Sequence, residues 1–251
     1  MLTIGIGILA IALVVIYLVL RRTPHLTEKD AVVIAEFSNS TGDPIFDEAL
    51  RQGLAVQLEQ SPFLQIVSDE RVHHVLQLMG KAPNERFAAA DAREVCQRIG
   101  ATALLEGSIA SLGQQYVLGL RATRCDTGDL LDVEQATATG KEQVLDVLSH
   151  MASRFRHRVG ESLTTSQMHD KPLEEATTSS LDALRAYSLG VRAVLSGSFV
   201  MGATFLRRAI ELDPKFALAH AHVALVYADS GQSGPAFESA RRAYELRDPG
   251  Q

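Results

Sequence analysis

The sequence predicts an α/β domain built on a mixed sheet, followed by an all-α helical-repeat segment and preceded by a transmembrane helix. Three observations predict this. Short β-branched runs alternate with amphipathic helical patterns between residues 27 and 165. A 34-residue period recurs after residue 180. Residues 2–20 contain no charge.

The leading run, Leu2 to Leu20, is 19 residues long. At about 1.5 Å per residue it spans roughly the 30 Å hydrocarbon thickness. Tyr17 suits the interface near one end. A cleaved signal peptide would start with a basic segment and end on small residues. This run has no basic start and ends in Arg21-Arg22, so it reads as a retained single anchor. Taken alone, those arginines place the following residues in the cytoplasm. Positive charge upstream of Met1, in a longer protein, would reverse that orientation.

Ala31-Val32-Val33-Ile34-Ala35 reads as a strand covered on both faces. Ser38 to Pro44 is a turn cluster, with Asp43 as a helix N-cap and Pro44 as the first helical residue. Phe46, Ala49, Leu50, Leu54 and Leu58 then mark one helix face, and Ser61-Pro62 ends that helix. A second strand covers Phe63 to Val67. A short helix capped by Ser68 or Asp69 carries Val72, Val75, Leu76 and Met79, and Gly80 and Pro83 break it. Another helix runs from about Glu85 to Arg98 and stops at Gly100. Ala101 to Ile109 is a third strand. Tyr116 to Arg124 and Leu130 to Ala138 form a hairpin about the turn Asp126-Thr127-Gly128-Asp129. A helix with Val144, Leu148, Met151, Phe155 and Val159 on its buried stripe closes the module. Residues 164–179, rich in Thr and Ser and including Pro172, read as a linker with some residual order.

Arg207 to Pro214 is echoed by Arg241 to Pro249, at a 34-residue offset with one residue inserted before the second proline. This resembles tetratricopeptide repeats, over residues 183–216 and 217–251. Leu189, Gly190, Leu206, Ala209 and Pro214 fit the pattern in the first repeat; Tyr227, Ala236 and Ala243 fit it in the second. Gly202 and Ala240 depart from it. Two repeats bury little by themselves. The array therefore reads as truncated, or as covered by the upstream module, by another chain or by a second copy in a homo-oligomer. On the geometry this resemblance implies, Tyr187, Val191, Leu218 and Leu225 face inward and would bind a protein or peptide partner through apolar contacts. Plain packing between repeats accounts for the same residues equally well.

The layout as a whole is similar to the region after the membrane span of bacterial serine/threonine kinases with tetratricopeptide tails, seen especially in acidobacteria. Leu26 to Asp30, Ser40 to Asp47, Gln52 to Phe63, Gly107 to Gly113 and Ala186 to Gly190 carry the similarity. The α/β module is more loosely similar to amino-terminal domains of TolB-like and FlgO-like envelope proteins. The resemblance implies an extracytoplasmic, periplasmic location for the soluble part. The chain has no Gly-rich nucleotide loop, no His-Arg-Asp and no Asp-Phe-Gly. The implied role is a sensor or interaction module without an enzyme; a detached kinase regulatory region and an envelope-assembly or transport accessory are the alternatives.

Other chemistry is sparse. With 24 Lys and Arg against 30 Asp and Glu, the net charge of −6 makes a poor nucleic-acid surface. No cofactor motif stands out. Adjacent His73 and His74 point to different sides of a helix and do not jointly hold a metal. His150 and His157, beside Arg154, Arg156 and Arg158, read as a solvated face. Ser40 to Pro44 is explained by capping, and Asn39-Ser40-Thr41 fits a glycosylation pattern that matters only in a eukaryotic secretory context. Cys96 and Cys125 are the only cysteines. They form a disulfide if the compartment is oxidising, and are otherwise two buried thiols.

Overall fold

The computed structural model describes residues 26–27, 30–81, 89–161 and 172–247. The expected membrane helix over residues 2–20 lies outside the described residues. Among the described residues, no helix is long and apolar enough to cross a membrane.

A mixed six-stranded sheet forms the centre, with strand order β3-β1-β4-β5-β6. Its strands are β1 (Ala31–Ile34), β2 (Ser38–Asn39), β3 (Gln65–Ile66), β4 (Ala103–Leu112), β5 (Gln115–Arg124) and β6 (Leu130–Ala138). β1 runs parallel to both β3 and β4, whereas β4, β5 and β6 form an antiparallel meander. β2 continues the line of β1 and pairs with β4 through Ser38 and Asn39. The turn cluster therefore begins as a strand. Between β1 and β2 the chain bends at Ala35, Glu36 and Phe37. The Phe37 ring lies over Gly107, where an added Cβ would come within 2.3 Å of it. That close approach requires glycine at this point of β4.

Alternation along the strands feeds two apolar layers. Val32, Ile34 and Leu105 point toward α1 (Phe46–Glu59) and α4 (Val144–Val159). Val33, Ala35 and Leu104 point toward α2 (Asp69–Leu78) and α3 (Ala89–Ile99). This two-sided burial is why residues 31–35 form an unbroken apolar run. On the β5–β6 half, Leu118, Leu120 and Ala122 join the α1/α4 layer. The opposite face there leaves Val133 63% exposed. The hairpin of β4 and β5, turning at Gly113 with φ 64°, extends the third strand three residues beyond the expected Ile109.

The reading of Arg154, Arg156 and Arg158 as a solvated face is corrected at Arg156. Arg154 and Arg158 do stay at the surface, pairing with Glu134 and Asp132 of β6. Arg156 falls on the inner face with Phe155 and Val159 and is 1% exposed. Two positions along a 3.6-residue helix turn a side chain by about 200°, so Arg156 faces opposite to both neighbours.

The chain continues in helices α5 (Leu173–Ala176), α6 (Leu181–Leu195), α7 (Phe199–Leu212), α8 (Ala217–Asp229) and α9 (Ser233–Leu246). The residual order expected within residues 164–179 takes the form of α5, whose Leu173 is 1% exposed and inserts among α1 and α4. One buried leucine is invisible within a Thr- and Ser-rich composition. Residues 162–171 lie outside the described ones. Ser180 caps α6, its hydroxyl accepting from the Ala183 N–H at 3.2 Å. α6 lies on α1 at Gly53, where an added Cβ would meet Leu173 Cδ2 at 3.0 Å and Leu184 Cδ2 at 3.4 Å. The absent side chain lets the helices approach closely. A single apolar core therefore runs from the sheet through α1 into Leu184, Leu206 and Phe216. Successive helices α6 to α9 then pack as two antiparallel hairpins.

Candidate functional site

Docking of α6 on α1 opens a groove of about 500 Å³. Its walls are α1, the β3–α2 connection, α6 and the start of α8. Val56, Val191 and Leu218 form its apolar lining and are partly buried. Tyr187 closes the floor at 2% exposure. Its ring packs on Phe216 with centroids 4.9 Å apart, and its hydroxyl lies 3.0 Å from His222 Nδ1. His222 Nδ1 is also 3.1 Å from the Leu218 carbonyl oxygen. Burial holds the His222 ring below its ordinary pKa, against the pull of that carbonyl, and so keeps it neutral. Burial likewise pushes the Tyr187 phenol up. The pair is a neutral hydrogen-bonded strut between α6 and α8.

Three of the four expected binding residues, Tyr187, Val191 and Leu218, thus come together on one groove. Tyr187 is mainly a packing residue. Leu225 does not line the groove and stands 62% exposed elsewhere on α8.

An ionic cluster adjoins the inner end of the groove around a cavity of about 50 Å³. Arg51 of α1 donates to Asp69 Oδ2 at 3.0 Å and to the Ile34 carbonyl at 3.3 Å. Arg192 of α6 pairs with Glu36 at 2.8 Å and with Glu48 of α1. The cluster therefore joins the β1–β2 bend, α1, the start of α2 and α6. Burial raises the Glu36 carboxyl above its ordinary value, outweighing the attraction of Arg51 and Arg192. At Asp69 burial acts in the same sense, but the Arg51 guanidinium overcomes it and holds the carboxyl low.

On the outer rim of the groove, Glu59 and Glu70 are exposed and form no salt bridge among the described residues, although Arg51 attracts Glu59 from a distance. Partial burial, and then the neighbouring Asp69, raise the Glu59 carboxyl. Neither rim glutamate is marked by a sequence motif. Glu59 and Val56 sit one turn apart off the buried stripe of α1, and only the docked α6 gives that face a meaning.

The remaining candidates occupy structural positions. Asn39 Nδ2 donates to Asp47 Oδ1 at 2.7 Å and to the Asp43 carbonyl at 2.8 Å, so its amide is engaged within the turn. Asp43 Oδ1 accepts from the Ile45 N–H at 3.0 Å, and its Oδ2 takes Lys141 Nζ at 2.7 Å. His73 lines the small cavity. Among the described residues no three His, Cys, Asp or Glu side chains are grouped to hold a metal ion. Cys96 of α3 and Cys125, just after β5, are joined as a disulfide with Cα atoms 5.7 Å apart.

No family model matches this chain, and no curated protein matches it. Several solved structures do. The C-terminal domain of LpoB from Salmonella enterica is 16% identical, with 45% of this chain and 84% of that chain covered at a TM-score of 0.41. Lipoprotein GNA1162 from Neisseria meningitidis is 16% identical, with 53% and 98% covered at a TM-score of 0.39. TolB from Acinetobacter baumannii is 13% identical, with 56% and 30% covered at a TM-score of 0.36. All three likenesses are weak.

Proposed function

We propose that this chain is a non-catalytic, membrane-anchored module of the cell envelope that binds a protein partner in the groove between α1 and the helical hairpins. The observation that carries this reading is the groove itself. It is open, it has an apolar lining of Val56, Val191 and Leu218, and its walls come from both the α/β part and the helical hairpins. The four helices α6 to α9 are taken as two tetratricopeptide repeats, supported by the 34-residue period. The uncharged run of residues 2–20 supplies the anchor. The Cys96–Cys125 bridge supports an extracytoplasmic position, because such bridges persist in oxidising compartments.

The binding site is tested by placing a photo-crosslinking residue at Val56, at Leu218 and at Leu225 in the full chain in intact cells. One discrete adduct is expected from Val56 and Leu218, none from Leu225, and none from the groove positions when Val191→Glu is added. Adducts at Leu225 alone would refute the groove. The location is tested by counting thiols in protein taken from cells under non-reducing denaturation. Full protection of Cys96 and Cys125 is expected, and two reactive thiols would place the module in a reducing compartment.

A further inference from the structure

We propose that the groove selects a basic amphipathic peptide. Its apolar side chains would seat on Val56, Val191 and Leu218, while its Lys or Arg side chains reach Glu59 and Glu70. This rests on the reading of the groove as the partner-binding surface and adds the chemistry of the partner.

Charge around the groove is one-sided. Glu59 and Glu70 on the rim form no salt bridge among the described residues, and the attraction of Arg51 on Glu59 is outweighed by burial and Asp69. The cation lining the groove, Arg51, is already engaged by Asp69 and the Ile34 carbonyl. His222 is kept neutral by burial and adds no positive charge. Behind the inner end, Glu36, Glu48 and Asp69 outnumber Arg51 and Arg192. The potential along the groove is therefore negative, and low-dielectric walls concentrate it there. Loss of hydration at Glu59 is compensated once a cation arrives, because the charged carboxylate then regains a partner.

Shape favours a chain segment over a small cation. The α1 wall runs from Arg51 to Glu59, eight residue steps. That is about 12 Å at 1.5 Å per step, enough for two helical turns or four extended residues of a ligand. An apolar and an acidic position adjoin on the same wall: Val56 and Glu59 are three residues apart and share one face of the helix. A ligand with an apolar and a basic side chain at matching spacing satisfies both.

The test uses two synthetic fluorescent peptides with one leucine pattern, carrying lysine in one and glutamate in the other at every polar position. Each is titrated against the full chain in a neutral detergent, at low and high salt. The lysine peptide is expected to bind roughly tenfold tighter, with the difference shrinking as salt screens two partly exposed pairs. Glu59→Lys/Glu70→Lys should reverse the preference; both positions are exposed, and circular dichroism checks that the fold is kept. Val191→Glu should abolish binding of both peptides. Equal binding of the two peptides to the unmodified chain would overturn the charge assignment and leave the groove standing. A lysine peptide that binds Glu59→Lys/Glu70→Lys as well as the unmodified chain would overturn it too. Failure of both peptides to bind would refute the groove along with the inference.

Discussion

Leu184→Ala should lower the stability of the sheet and of the helical hairpins together. Leu184 is fully buried in α6 and packs at the junction with α1, where Leu173 and Leu148 crowd the space opened by Gly53. Those neighbours are held from three directions, so the site collapses poorly once the side chain is truncated. A buried leucine in that situation costs about 3 kcal/mol or more. For a chain of this size each kcal/mol moves Tm by roughly 2–4 °C, so the shift is about 6–12 °C. Leu225→Ala, 62% exposed, is the control and should stay within about 0.5 kcal/mol. Thermal unfolding by far-UV circular dichroism gives the shift, and hydrogen exchange resolves where stability is lost. Amides of β4 and of α8 should lose protection to a similar degree, because one core serves both. If β4 keeps its protection while α6 to α9 exchange freely, the two parts are independent and the argument from a shared core fails.

Two further perturbations test the buried charges. Arg156 and Glu161 face each other at 3.4 Å with side chains 1% and 0% exposed, and Arg156 also donates to the Gln57 carbonyl at 3.1 Å. Arg156→Met strands the Glu161 carboxylate and should cost about 3–5 kcal/mol by urea unfolding, whereas Arg156→Met/Glu161→Leu should cost much less. Additive single and double effects would show that the two side chains are not coupled. In the ionic cluster, Asp69 has a lowered folded value, so its contribution is present above its ordinary pKa of 3.8 and disappears as pH falls through the folded value. Glu36 has the opposite sign: its raised folded value favours folding below 4.5 and loses that contribution as pH rises through it. Stability measured against pH should therefore drop in acid less steeply for Asp69→Asn than for the unmodified chain. An unchanged acid limb would refute the role given to the Arg51–Asp69 pair.

Local patterns announced most of the elements. The apolar spacing from Phe46 to Leu58 placed α1, because burial against one face leaves a 3.6-residue signature. The β-branched run at residues 31–35 announced a strand buried on both faces, and the 34-residue echo announced the paired helices. Ser38 and Asn39 gave no strand signal, since two residues pair only through the backbone of β4 and their side chains read as turn formers. Arg156 looked exposed because charge type overrode its position on the helix. Glu36, Glu48, Asp69 and Arg192 lie far apart in the chain, and no local rule links them before α6 docks. Repeat geometry groups Tyr187, Val191 and Leu218, which do line one groove, whereas Val56 and Glu59 belong to the other wall and carry no such mark.

That division locates the groove's origin in the docking of two patterns rather than in either alone. Gly53 leaves room for Leu184 of α6 against α1, and Arg192 of α6 pairs with Glu36 and Glu48 across the same junction. A ligand spanning Val56 and Leu218 touches both walls, so it binds the docked arrangement better than a separated one. By mass action it must then stabilise the shared core by an amount fixed by its concentration relative to Kd. A ligand that used the helical hairpins alone would protect α6 and α8 from exchange but leave the amides of α1 at their unbound protection.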